Sequence, residues 1–201
     1  AAVETELAAF LRELDTPPLL LSAASAYLAP LRRRMDGIRA IAVNIHGEIE
    51  EWLGRIDRQI ADHAQELEFL IPWIHISAPP EAVWSRATPE LLRRVSDFRT
   101  KLTALDTAPT LRALPTLIQP LLEDARALLQ LRDTNGAEGA MSQWVTALME
   151  ALETSSQRAT ERSGTIDELA ADCAAFAQMD FAFLYDETRS LFSIGYNASA
   201  H

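Results

Sequence analysis

The side chains best suited to chemistry are few and scattered. The histidines are His46, His63, His75 and His201. His46 and Glu50 stand one helical turn apart and could face a metal ion together. Without a third ligand nearby, a solvated pair four residues apart is the better reading. His63 follows Asp62 beside an apolar stripe and reads as a packed helical histidine rather than a ligand. His75 has no cysteine or histidine near it. No Glu-x-x-His pair, the spacing that helical proteins use for two-metal centres, occurs anywhere in the sequence. The run "HGEIEEW" gathers Glu48, Glu50 and Glu51. Paired carboxylates can serve as acid and base across a substrate, but neighbouring glutamates on one helical face read first as a solvated surface. There is no Gly-rich phosphate loop and no Gly-x-Ser-x-Gly elbow. Neither metal nor cofactor is expected.

Trp52, Trp73, Trp84 and Trp144 could stack on sugars, but they are dispersed. Trp52 and Trp144 fall on apolar stripes, where core packing is the default. The single cysteine, Cys173, excludes an internal disulfide. Within "ELAADCAAFAQMD" it reads as a small buried residue, not a nucleophile. Residues 1–178 therefore offer no catalytic site. The net charge of −11 argues against a nucleic-acid partner, which needs a basic surface to meet phosphates, and mildly against an anionic membrane. Lys101 is the only lysine among 18 basic residues. No apolar run is long enough to span a bilayer, so no direct membrane insertion of this segment is expected and the fragment should be soluble.

The elements that would position any site read as helices. Residues 2–14 form a short amphipathic helix that Pro17 and Pro18 end. Leu19 to Ala29 reads as a second, short, apolar helix. From Leu31 to Leu70 there is no proline, and Leu31, Met35, Ile38, Ala42, Ile45, Ile49, Trp52 and Ile56 recur at helical steps. That spacing predicts one long helix, a rod of roughly 60 Å, bent near Gly37, Gly47 or Gly54. "IPWIHISAPP" (71–80) is a Pro-rich linker whose Trp73 and Ile74 pack on a neighbouring helix. Thr88 and Pro89 start the next helix as N-cap and first helical residue. Residues 106–110 form another joint. Pro115 and Pro120 perturb the start of a helix running to about Leu131, and "RDTNGAEG" is a loop with a turn at Asn135–Gly136.

Met141, Val145, Leu148 and Leu152 set one more stripe, which Ile166, Leu169, Cys173 and Phe176 resume. Between them "ETSSQRATERSG" is polar, and Thr165 with Glu168 resembles a capping box. One long helix with a weak, solvated middle is expected, two helices meeting there being the alternative. The fold class is thus all-α, a long-helix antiparallel bundle over residues 1–178, followed by a short C-terminal β-hairpin.

That hairpin is read from "MDFAFLYDETRSLFSIGYN". Phe181, Phe183 and Tyr185 alternate with Ala182 and Leu184. Leu191, Ser193 and Gly195 alternate with Phe192, Ile194 and Tyr196, and "DETR" between the two runs reads as a turn. A lone hairpin is marginal in water, so it needs a partner surface. Its apolar edge also predicts self-pairing into a homodimer, relieved by deleting residues 179–201.

The same stretch resembles the opening motif of the glucoamylase-like domain of bacterial cyclic β-1,2-glucan synthases. Met179, Asp180, Phe181, Phe183, Leu184, Tyr185 and Asp186 match the first half of that motif. Arg189, Leu191, Phe192, Ser193, Ile194, Gly195, Tyr196 and Asn197 match the second. The match covers about a tenth of the chain. The resemblance implies a very large parent protein at the bacterial inner membrane, with this segment on its cytoplasmic side. A glycosyltransferase region of that parent builds glucan from UDP-glucose, and the glucoamylase-like region, an α/α-barrel, is associated with cyclisation by transglycosylation. Residues 1–178 would be a non-catalytic helical spacer or docking domain. Residues 179–201 would open a barrel cut just inside its first hairpin, with the family's catalytic carboxylates beyond His201. Asp180 and Asp186 themselves read as a helix end and a hairpin turn. The partners implied are the rest of the parent polypeptide and, as a candidate ligand, β-1,2-glucan. Two other readings remain open from the residues. One is an independent helical scaffold for protein partners. The other is a carbohydrate-binding module using Trp73, Trp84 and the tail tyrosines.

Overall fold

The structure, a computed structural model, describes residues 2–41, 48–76, 88–107, 109–130, 138–178 and 182–192. Of these, 85% are helical, and almost none are in strands. The chain divides into two compact units, Ala1–Glu161 and Arg162–His201.

The first unit holds α1 (Ala2–Leu14), α2 (Leu21–Ile41), α3 (Glu48–Leu70), a 3-10 turn (Pro72–His75), α4 (Pro89–Leu105), α5 (Leu114–Gln130) and the first part of α6 (Glu138–Ala177). One apolar cluster joins Phe10 of α1, Leu31, Met35 and Ile38 of α2, and Leu53 and Ile60 of α3. The chain does not run straight from Leu31 to Leu70 as the spacing suggests. Asp57 of α3 lies 3.3 Å from Arg39 and 3.7 Å from Arg32, both of α2. In one unbroken helix Arg32 and Asp57 would stand more than about 35 Å apart, so α2 and α3 lie side by side. Residues 42–47, which include His46 and Gly47, fall outside the described residues.

The short helix expected from Leu19 to Ala29 does not end there, because α2 passes through Pro30. Proline inside a helix costs about 3 kcal/mol. Burying Leu31, Met35 and Ile38 just beyond it, at roughly 1.5–3 kcal/mol each, outweighs that cost.

The larger cluster draws on the 3-10 turn and on α4, α5 and α6. Val95 and Phe98 of α4, Ile118, Leu121 and Ala125 of α5, and Val145, Leu148 and Leu152 of α6 are almost wholly buried. Phe98 meets Trp144 edge to face, with centroids 6.1 Å apart and planes at 88°. Trp73 is buried, as its linker position suggests. Thr88 caps α4 as expected, its Oγ1 accepting from the Leu91 N–H at 3.3 Å.

α6 is a single helix from Glu138 to Ala177. Its polar middle is not wholly solvated: Ser155 and Ala159 are fully buried and carry the stripe onward. Ser155 can sit there because its hydroxyl donates to the carbonyl of Leu70, one of the carbonyls that the end of α3 leaves without an intrahelical donor.

The second unit holds the remainder of α6, a 3-10 turn (Ala182–Leu184), β1 (Tyr185–Asp186) and β2 (Leu191–Phe192). The strands pair antiparallel, Tyr185 with Phe192 and Asp186 with Leu191. Strand structure was expected from Phe181, but Ala182–Leu184 form a 3-10 turn and pairing begins only at Tyr185. So short a ladder gives the preceding residues no partner to hold them extended.

The distal part of α6 departs most from expectation. Ile166, Leu169 and Phe176 are exposed rather than in a core, and so is Cys173. An apolar stripe becomes a buried face only where an element lies against it, and among the described residues this unit contains no second α-helix.

Candidate functional site

The functional expectation drawn from the sequence rests on the tail stretch from Met179 to Asn197. Of its residues, Leu184, Tyr185, Asp186, Arg189 and Leu191 are described, as are the backbones of Phe183 and Phe192. Met179, Asp180, Phe181, Ser193, Ile194, Gly195, Tyr196 and Asn197 fall outside the described residues. Asp186 organises the turn. Its Oδ1 accepts from the backbone N–H groups of Thr188 at 2.9 Å and Arg189 at 3.2 Å. Its Oδ2 lies 3.7 Å from Arg189 Nε. Ser190 then takes a left-handed conformation, φ 51°, which brings Leu191 back opposite Asp186. An aspartate that receives two backbone donors is a turn-forming group, which is the role its place in "DETR" suggests. Tyr185 and Leu191 are exposed, and the pairing sets Tyr185 opposite Phe192 and Asp186 opposite Leu191.

The groups considered for chemistry elsewhere do not converge. His63 and His75 are both exposed. For His63 this corrects the packed position expected of it: it lies outside the α3 stripe that buries Leu53 and Ile60. Glu50 and Glu51 are exposed, and Glu51 pairs with Arg55 one turn on, as a solvated face would. Trp52 is 59% exposed instead of packed in a core, with the Arg55 guanidinium 5.1 Å from its ring centroid. The stripe of α3 turns away from Trp52 at Leu53. Trp84, His46 and His201 fall outside the described residues.

Charged side chains also gather on α4 and α5, along a shallow groove lined by Arg93, Arg94, Asp97, Lys101 and Asp124 over Phe98 and Leu128. Glu90 accepts from Arg94 at 2.7 Å and from Arg93 at 3.1 Å. These hydrogen bonds, Arg94 first, hold its carboxyl below the usual carboxylate range. Lys101 donates to Asp124 at 2.6 Å, which raises the ammonium above its ordinary value. Each charge is met by its opposite on an exposed surface, an arrangement that suits solubility and helix–helix register rather than chemistry.

Sequence reading passed over the polar groups that matter most to the first unit. Asp106 accepts at the start of α2, through its carbonyl from the Leu21 N–H at 2.9 Å and through Oδ1 from the Ser22 N–H at 2.7 Å. At the end of α3, Arg158 donates to the Phe69 carbonyl at 2.7 Å and lies 4.4 Å from the Phe69 ring centroid. The partners are separated by more than eighty positions, so no local pattern announces them.

No group of three or more His, Cys, Asp or Glu residues able to hold a metal ion occurs among the described residues. No described helix is long and apolar enough to cross a membrane. No family model matches the chain, no curated protein is similar to it, and no solved structure matches it.

Proposed function

We propose that the chain is the helical segment leading into the glucoamylase-like domain of a cyclic β-1,2-glucan synthase, on the cytoplasmic side of the inner membrane. In this reading its helices form an antiparallel long-helix bundle closed by a C-terminal hairpin, and it acts as a spacer or docking domain. The parent protein carries out glucosyl transfer and cyclisation, and this segment carries out neither. The observation that carries the reading is the run of motif residues from Met179 to Asn197. The pairing of Tyr185 with Phe192 and the turn built on Asp186 support it, since they set Tyr185 and Asp186 opposite Phe192 and Leu191.

The experiment is to read the coding sequence beyond His201 and then to alter the spacer. A frame that continues into a glucoamylase-like domain is expected. Removing one heptad from the distal part of α6 in that parent should lower the ratio of cyclic to linear glucan while UDP-glucose consumption continues. A stop codon directly after His201 would overturn the reading, and so would robust glucosyl transfer or glucan disproportionation by the isolated chain.

A further inference from the structure

α6 runs unbroken past a point where its own sequence provides both a stop and a start. Ser163 and Gly164 form the kind of pair at which helices kink, and glycine is the usual residue just past a helix end. Thr165 follows at once, with Asp167 and Glu168 close behind it. Thr-x-x-Glu is the capping box. Its threonine hydroxyl accepts from the glutamate N–H, and its glutamate carboxylate accepts from the threonine N–H. Asp167 and Glu168 would both stand in the first turn of a helix begun there, where the helix dipole favours acids. The protein already uses half of this device at the start of α4, where Thr88 Oγ1 accepts from the Leu91 N–H at 3.3 Å.

Local signals of this kind yield where packing opposes them. α2 continues through Pro30 because Leu31, Met35 and Ile38 are buried beyond it. Among the described residues no such packing acts at Gly164. The last buried residue of α6 is Ala159, and every residue from Gly164 to Ala177 is exposed. A Cβ at Gly164 would meet nothing within 4 Å, so this glycine does not serve the close approach of a described neighbour. It is also a poor helix former. Its distinctive property at this position is freedom to take the left-handed conformation that ends a helix.

From these observations we infer that α6 carries a built-in breakpoint at Gly164. A broken state, with one helix ending at Ser163 and a second capped by Thr165 and Glu168, exists in equilibrium with the continuous helix. The break lets the chain beyond Gly164 change direction while the buried row from Met141 to Ala159 stays intact. The inference does not rest on the glucan synthase reading.

The test is amide exchange in the full chain, resolved residue by residue by NMR and expressed as protection over the intrinsic rates. In the broken state the Ile166 and Asp167 amides lose their helical acceptors. The Glu168 amide takes the Thr165 hydroxyl instead, and later amides keep their own turns. Ile166 and Asp167 should therefore be at least about threefold less protected than Leu169 and Ala170. Simple fraying from the end of the helix gives the opposite slope. Thr165→Val removes the cap at nearly equal helix propensity and should raise protection at Ile166 and Asp167 about threefold or more. Thr165→Ser keeps the cap and should leave both within about twofold of the unaltered chain. Amides from Val145 to Ala159 are the internal reference and should not change in either variant. Protection that falls steadily toward Ala177, that is even along α6, or that is absent from Ile166 onward would overturn the inference. So would unchanged exchange of Ile166 and Asp167 in Thr165→Val.

Discussion

Within α6 (Glu138–Ala177), the segment before Glu161 buries a residue at every third or fourth position, and the segment after it buries none. Ile166, Leu169, Cys173 and Phe176 are no less apolar than Met141, Val145, Leu148 and Leu152. The difference between the segments is therefore not in the stripe but in what lies against it. A 3-4 spacing specifies a seam, and the rest of the chain decides whether that seam becomes core or surface. The proximal seam even accepts a serine at Ser155, because the Leu70 carbonyl receives its hydroxyl.

This contrast yields graded expectations. The largest effect belongs to Leu152→Ala. A fully buried leucine shortened to alanine should cost about 2–5 kcal/mol in urea unfolding. The matched change Leu169→Ala, on the exposed segment, should stay within about 0.5 kcal/mol. Comparable losses at both positions would break the comparison.

Ser155→Ala should cost about 1–3 kcal/mol, because it leaves the part-buried Leu70 carbonyl without its donor. Arg158→Ala, at a less buried site beside it, should cost less.

Tyr27 marks a different boundary of the first unit. Its hydroxyl donates to the Glu13 carbonyl at 2.6 Å, and burial first, then the Glu13 carboxylate, raise its pKa above the ordinary tyrosine value. The folded chain thus keeps a proton that the unfolded chain releases near pH 10. The stability from this group is whole below that pH and falls as pH rises through the folded value. Tyr27→Phe should cost about 1 kcal/mol at neutral pH and should flatten that alkaline decline, as pH-dependent thermal melts would show.

The smallest effect is expected at Gly164. A Cβ there meets nothing within 4 Å, and alanine is the better helix former by roughly 1 kcal/mol. Gly164→Ala should therefore raise the helical signal of the distal segment slightly and leave the unfolding of the first unit alone.

The all-α character was legible because helical spacing in this sequence is local and strong, and Thr88 with Pro89 announced a helix start at the right place. Three kinds of feature were not legible. The helix expected to end at Ala29 continues through Pro30, carried by the burial of Leu31, Met35 and Ile38. The rod expected from Leu31 to Leu70 ignored Asp57, whose partners Arg32 and Arg39 lie on α2. Cys173 and its apolar neighbours were assigned to a core because spacing reveals a face but not its partner. In the tail, Asp186 was recognisable as a turn residue from "DETR" alone. The Asp106 and Ser155 contacts join positions too distant in sequence for any local pattern to connect.

Hydrogen exchange along α6 in the native chain, resolved peptide by peptide between Glu138 and Gln178, tests this contrast most directly. Amides from Val145 to Ala159 should exchange only through opening of the first unit, with protection close to its global stability. Amides from Ile166 to Ala177, on a helix held chiefly by its own backbone bonds, should exchange orders of magnitude faster. Uniform, near-global protection along the whole helix would contradict the account, because it would mean that the distal seam is already covered within the chain.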